Sequence, residues 1–296
     1  MVIFSLLIAI LIDRATRARG HWQLRPIAAS WHKLLYRHTH QQEWAGIAVV
    51  APLLWIAPAI LLALILALQG SALLLLIVNV LVLLIALGCA PQRDILRMYL
   101  SKGQSGHREE CVALQAQLNA LHPELSGHGV GAHIIWLNFR YYFAVAFWFI
   151  VLGAAGALAY ALIREYVVNR FAQPGLTGDL TEDADVTDIQ PVEAEQAQLF
   201  ARILYVIEWP AARVAGFAYL LVGHFSRAMP VWLNGLGDID KPHSHYLAAI
   251  ASRAEEGSEE ADEMTQEPCV MMTLAKRSMV LLLAATALAT LLGWLS

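Results

Sequence analysis

WAGIAVVAPLLWIAPAILLALILALQGSALLLLIVNVLVLLIALGCAPQ, residues 44–92, runs for 49 positions without one Asp, Glu, Lys or Arg. A bilayer's hydrocarbon core takes about 20 apolar residues to cross as a helix, and a helix satisfies all of its backbone polar groups internally. The run holds two such lengths, joined at Gln69, Gly70 and Ser71. It reads as a hairpin through a membrane, with spans at about 45–68 and 71–90.

Further apolar stretches lie at 142–163, 199–225 and 278–296, with a short apolar start at 1–14. The first is marginal: Met1 to Ile12 falls short of the roughly 17 to 25 residues a span needs, unless Asp13 and Arg14 snorkel. No positive residue precedes it, so it reads as part of the mature protein rather than as a signal peptide. The expected fold is a single all-α membrane domain over 1–296, polytopic, with five or six transmembrane helices and short amphipathic interfacial helices.

Composition agrees with this. A chain of 296 residues that is 58% hydrophobic and 15% charged cannot cover itself with polar surface. The formal charge of -4 comes without a basic face, which excludes nucleic acid as an expected partner and leaves the lipid bilayer as the first.

Basic loops stay in the cytoplasm, so the Lys and Arg distribution orients the spans. Residues 13–43 carry Arg14, Arg17, Arg19, Arg25, Lys33 and Arg37; residues 91–140 carry Arg93, Arg97, Lys102, Arg108 and Arg140; the turn at 69–71 carries none. Residues 173–197 hold seven acids and no base. Both termini are therefore expected on the outer side of the membrane. Cys89, Cys111 and Cys269 then fall on the reducing cytoplasmic side, and no disulfide is expected. The acidic stretches 173–197 and 254–268 read as solvated loops.

Two amphipathic stripes lie between spans: Ile27, Trp31, Leu34 and Leu35, with Lys33 and Arg37 off the stripe, and Cys111, Leu114, Leu118 and Leu121, ending before His122-Pro123. Gly153 with Ala157, Ala155 with Ala159, and Ala285 with Ala289 allow close helix contact in lipid.

Charge within hydrocarbon is costly and needs a partner or water, so polar groups at the spans are where function is sought. Trp136-Leu137-Asn138-Phe139-Arg140-Tyr141-Tyr142 sets an amide and a guanidinium among aromatics at the cytoplasmic mouth of the fourth span. Glu208-Trp209-Pro210 and Arg213 lie inside the fifth apolar segment, where a break at Pro210 would bring Glu208 and Arg213 together; the alternative is that each pairs with another helix. Gly235-Leu236-Gly237-Asp238-Ile239-Asp240, followed by His243 and His245, matches no metal-ligand spacing and reads as a glycine turn with solvated acids. Asp13 and Arg17 form an i,i+4 pair with a structural role. Phosphate-loop, nucleophile-elbow and zincin motifs are absent, and no cofactor or metal is assigned.

His21-Trp22-Gln23-Leu24, the Trp136 to Tyr142 run, Glu208-Trp209 with Arg213-Val214-Ala215-Gly216, and Leu236-Gly237-Asp238 together resemble the AmpE family, in order and over most of the chain. That resemblance implies a bacterial inner-membrane signalling modulator, linked to induction of β-lactamase and to peptidoglycan recycling through the anhydromuropeptide amidase AmpD. AmpE is in turn similar to the CobD/CbiB proteins of cobalamin synthesis, which implies the rival expectation of an ATP-dependent, amide-forming enzyme. The run Glu-Asn-x-x-Asp-Gly of that family has lost both carboxylates here, with Leu137, Tyr141 and Tyr142 around Asn138. The non-enzymatic reading is thereby favoured. The expected site is a cytoplasmic mouth lined by Asn138, Arg140, Glu208, Arg213 and Asp238, binding an anionic ligand such as a muropeptide, or a protein partner.

Overall fold

The computed structural model describes residues 2–16, 24, 26–28, 30–31, 34, 50–68, 71–88, 90–171, 191–238, 241–255 and 266–293. Every element among them is helical. In chain order these are α1 (Val2–Thr16), α2 (Val50–Leu68), α3 (Ala72–Ala86), α4 (Ala90–Gln104), α5 (Arg108–Leu121), a 3₁₀ turn (Pro123–Leu125), α6 (Val130–Asn138), a π-helical turn (Phe139–Phe143), α7 (Ala144–Phe171), α8 (Pro191–Val222), α9 (Phe225–Leu236), α10 (His243–Ala254) and α11 (Gln266–Leu291).

Among the described residues two stretches are long and apolar enough to cross a membrane, 130–168 and 266–291, and three shorter apolar helices cover Val2–Asp13, Pro52–Leu68 and Ala72–Ala86. The fourth apolar segment, expected from Tyr142, belongs to a helical run that starts at Val130, because the π turn carries the ladder through Arg140 instead of ending it. Helices also run past the apolar windows at other ends: α8 starts at Pro191, inside the stretch expected to be an acidic loop, and α11 starts at Gln266. Apolar windows register lipid contact; backbone hydrogen bonding continues into polar surroundings. Residues 172–190 and 256–265, most of the two acidic stretches, lie outside the described residues, as do Arg17 and Cys89. So does much of the stripe from Ile27 to Arg37, of which Ile27 and Leu34 are exposed and Ala28 is buried.

The chain divides into two compact units: residues 1–87 with 147–207, and residues 88–146 with 208–296. In the first, α1 packs on α3, and Leu6, Ala9, Val82 and Leu83 of the two helices are buried, while much of α2 and α3 presents exposed Leu and Ile. The Trp55 indole N–H donates to the Leu162 carbonyl at 2.7 Å, and its ring meets Tyr166 and Phe200 edge-on. Arg164, buried with its neighbour Glu165, donates from Nη2 to the Ala86 carbonyl at 3.1 Å and to Glu165 Oε1 at 3.0 Å. It thereby meets the negative C-terminal end of α3, as a cation near a helix end should. Gly153 interrupts α7 with a φ of 69°, a conformation that glycine reaches without a Cβ clash, and the small side chains of Ala154 and Ala157 are buried beside it.

In the second unit, α4 and α5 form a helical hairpin whose Leu96, Tyr99, Cys111 and Leu118 pack on Val130, Ile134, Leu137 and Tyr141. The expected stripe on α5 is thus a core face. α11 and α10 pack on α6, and α9 packs on α10. A carboxylate fixes the start of α6: Glu267, in the first turn of α11, lies so close that a Cβ at Gly129 or Gly131 would sit 2.6 or 2.5 Å from its oxygens. A negative charge at the positive end of a short helix stabilises it, and the two glycines allow the approach.

Candidate functional site

α6 and the π turn build the first cluster, all of it within the second unit. Trp136 and Arg140 are four residues apart, and the guanidinium carbon stands 4.6 Å from the indole centroid. Arg140 Nε donates to Glu208 Oε1 at 2.8 Å and Nη2 to Glu208 Oε2 at 3.4 Å, a forked pairing with an acid from α8 that is 2% exposed. A second carboxylate, Glu124 of the 3₁₀ turn, lies 3.8 Å from Arg140 Nη1. Its Oε1 accepts the Trp136 indole N–H at 3.0 Å and stands 3.4 Å from His122 Nδ1. Burial pushes the Glu124 carboxyl up, but the His122 hydrogen bond and the Arg140 charge more than reverse this, holding it at about 2.

Imidazoles surround this charge network. His245 of α10 pairs through Nε2 with the Glu124 backbone carbonyl, and its ring lies 4.8 Å from that of His128. His122 and His133, both buried, have ring centroids 6.5 Å apart. Among the described residues no group of three or more His, Cys, Asp or Glu is placed to hold a metal ion. Asn138 is half-buried, and its Oδ1 has no hydrogen-bond partner among the described residues.

Arg213 belongs to a different cluster. α8 runs unbroken through Pro210, so Glu208 and Arg213, five residues apart, keep to different faces, and the pairing through a break at Pro210 does not form. Each pairs elsewhere, the alternative weighed from the sequence. Arg213 Nη2 donates to the Gly235 and Asp238 carbonyls at 2.8 and 2.9 Å, and Nη1 lies 3.4 Å from His243 Nδ1. Its guanidinium carbon is 4.9 Å from the Trp209 centroid and 4.5 Å from that of Tyr246. Burial pushes the Tyr246 phenol up to about 12, against the pull of Arg213, so it stays a neutral donor to the Trp232 carbonyl. Arg213 thus closes the C-terminal end of α9. Asp238 contributes its backbone carbonyl to this cluster; its neighbour Asp240, in the same acidic turn, lies outside the described residues.

Arg140 and Glu208 therefore meet at one place and Arg213 with Asp238 at another, while Asn138, two residues before Arg140, keeps to another face of the helical run. Glu124, His122 and Glu267 are not singled out from the sequence, and His245 is singled out there only with the turn at Gly235 to Asp240. The signal for Glu124 was there, because an acid directly after His122-Pro123 and twelve residues before Trp136 is well placed to meet the aromatic and basic run.

A family model described as the regulatory signalling modulator protein AmpE matches residues 1–296. The chain belongs to the AmpE family. Protein AmpE of Shigella flexneri is similar to it, at 24% identity over 307 residues, covering 99% of each chain. No solved structure matches. AmpE membership makes this chain a regulatory signalling modulator, and its apolar helices are consistent with an inner-membrane location.

Proposed function

We propose that this AmpE-family chain is a non-enzymatic modulator in the inner membrane, linked to β-lactamase induction and peptidoglycan recycling, and that an anionic ligand acts on it at Arg140. The observation that carries this reading is the inequality of Arg140's two acids: Glu208 is buried and holds it at 2.8 Å, whereas Glu124, at 3.8 Å, is 31% exposed. A carboxylate or phosphate approaching from the solvent side competes with Glu124 for Nη1 while Glu208 keeps the guanidinium in place. Such ligand exchange would release the 3₁₀ turn from α6, a local change that a partner protein can read. Arg213, with its donors on carbonyls and its faces on aromatic rings, supports the element beside the site.

The test uses the purified full chain in detergent with an anhydromuropeptide. A ligand that binds only the native state raises the melting temperature. The wild type should shift, Arg140→Lys should lose the shift because an ammonium cannot fork between two acids, and Glu124→Gln should keep it or strengthen it. An equal shift in wild type and Arg140→Lys would sink the assignment, as would unaltered β-lactamase induction in cells carrying Arg140→Lys at normal expression.

A further inference from the structure

The chain leaves α8 through Gly223 and His224 and turns at once into α9. The turn is tight: a Cβ at Gly223 would lie 2.7 Å from both the Cβ and the carbonyl oxygen of Ala254, and the His224 N–H donates to that carbonyl at 2.8 Å. α9 has 12 residues, about 18 Å of helix, too short to cross a hydrocarbon core of about 30 Å.

Its surface falls into three sectors. Ala228 and Gly235 are buried, Gly235 against the Tyr246 ring, where a Cβ would meet ring carbon. Arg227, Pro230 and Asn234 are exposed and form the polar side, with exposed Ser226 at its border. Between them runs a ridge at fourfold spacing, Phe225, Met229 and Leu233, of which Phe225 and Leu233 are 46% and 49% exposed. The last turns of α8, before the chain turns, carry a second exposed apolar stripe of Val214, Phe217 and Leu221. The Phe217 ring lies 5.3 Å from that of Trp232, which joins the two helices' apolar surfaces. On a helix that belongs to a membrane protein, such a stripe faces acyl chains.

We propose that α9 lies flat in the bilayer surface as an interfacial helix, with Phe225, Met229 and Leu233 among the acyl chains and Arg227 and Asn234 at the headgroups. The occupant of this face is lipid. Three features favour it: the ridge has the length of an in-plane helix and not of a span, the apolar surface of α9 meets that of α8 through Trp232 and Phe217, and its polar side carries a basic residue suited to anionic headgroups. Arg213 fastens the far end of α9 to α8 through the Gly235 and Asp238 carbonyls, so the depth of the helix is set from within the membrane.

Spin labels report depth directly. In the full chain with Cys89, Cys111 and Cys269 each replaced by Ala, single substitutions Met229→Cys, Leu233→Cys and Asn234→Cys are labelled. The proteins are reconstituted in vesicles of phosphatidylethanolamine and phosphatidylglycerol. At 229 and 233, collisions with oxygen, which concentrates in lipid, should exceed those with a water-soluble nickel chelate severalfold; at 234 the ratio should reverse. Nickel access at 229 and 233 equal to that at 234 would mean that the ridge faces water and would overturn the proposal. Shielding from both reagents at 229 and 233 would mean that a second copy or another protein covers it, and would overturn it equally. Neither reading depends on muropeptide binding, so the outcome is independent of the function proposed for Arg140.

Discussion

Arg140 and Arg213 look alike in sequence, each a lone guanidinium among aromatics in an apolar stretch, and both were expected to greet an anion. They differ in what neutralises them. Arg140 faces two carboxylate side chains, one buried and one partly exposed, whereas Arg213 faces backbone carbonyls at the end of a helix. A carboxylate partner can be protonated, displaced by another anion or exchanged by mutation. A carbonyl at a helix terminus cannot. The first arrangement suits a switch and the second a clamp, and only the partners, not the arginines, tell them apart.

The largest break in this comparison should come from Arg213→Leu. Two charge-assisted hydrogen bonds are lost and their carbonyls are left beside apolar rings, a cost of roughly 3 to 6 kcal/mol at about 1.5 to 3 kcal/mol each. The variant should fail to persist as a monodisperse species on heating in detergent. Arg213→Lys should not rescue it, because an ammonium neither spans both carbonyls nor stacks between Trp209 and Tyr246. Full stability of Arg213→Leu would remove the clamp from the account.

Arg140→Leu should come next, at about 3 to 5 kcal/mol, because it strands the buried Glu208 carboxylate. Here the partner is a side chain, so Arg140→Leu with Glu208→Leu should recover most of the loss in melting temperature, since apolar replacement of a whole buried pair is often nearly neutral. No second substitution can do the same for Arg213. If the double variant is no better than the single one, the charge on Arg140 is held mainly by Glu124 and the network, not by the pair.

The sequence made the helical membrane class legible because a 49-residue run without charge admits few other readings. It made Asn138, Arg140, Glu208 and Arg213 legible as costly groups, since charge in apolar surroundings stands out without any structure. What it hid were partners distant in the chain. Arg140 and Glu208 are 68 residues apart, and Arg213 meets Gly235 and Asp238 through backbone atoms that carry no residue-specific signal. It hid Arg164 and Glu165 for a different reason, because an apolar window that stops at Ile163 trims off charges that the helix itself carries on. The π turn was equally silent: Phe139 to Phe143 has ordinary helix-compatible residues, and only the packing around Arg140 selects the wider turn.

The smallest effect, and the one that separates the two arginines most cleanly, is the response to acid. Glu124 titrates at about 2 in the folded chain against 4.5 for an unperturbed carboxyl. A depressed folded value means that the ionised form favours the native state. The contribution is therefore complete above about pH 4.5 and is lost as pH falls from there toward 2, when the folded protein too must take up the proton. Melting curves taken between about pH 6 and pH 3 should show the wild type's advantage over Glu124→Gln shrinking as pH falls through that window. The carbonyls around Arg213 take up no proton and its titratable neighbour is the His243 imidazole, so in a His243→Gln background the loss caused by Arg213→Lys should stay constant over the same range. Parallel curves for the wild type and Glu124→Gln would show that the Glu124 charge does not help to hold Arg140, and the proposed exchange of that carboxylate for a ligand anion would lose its basis.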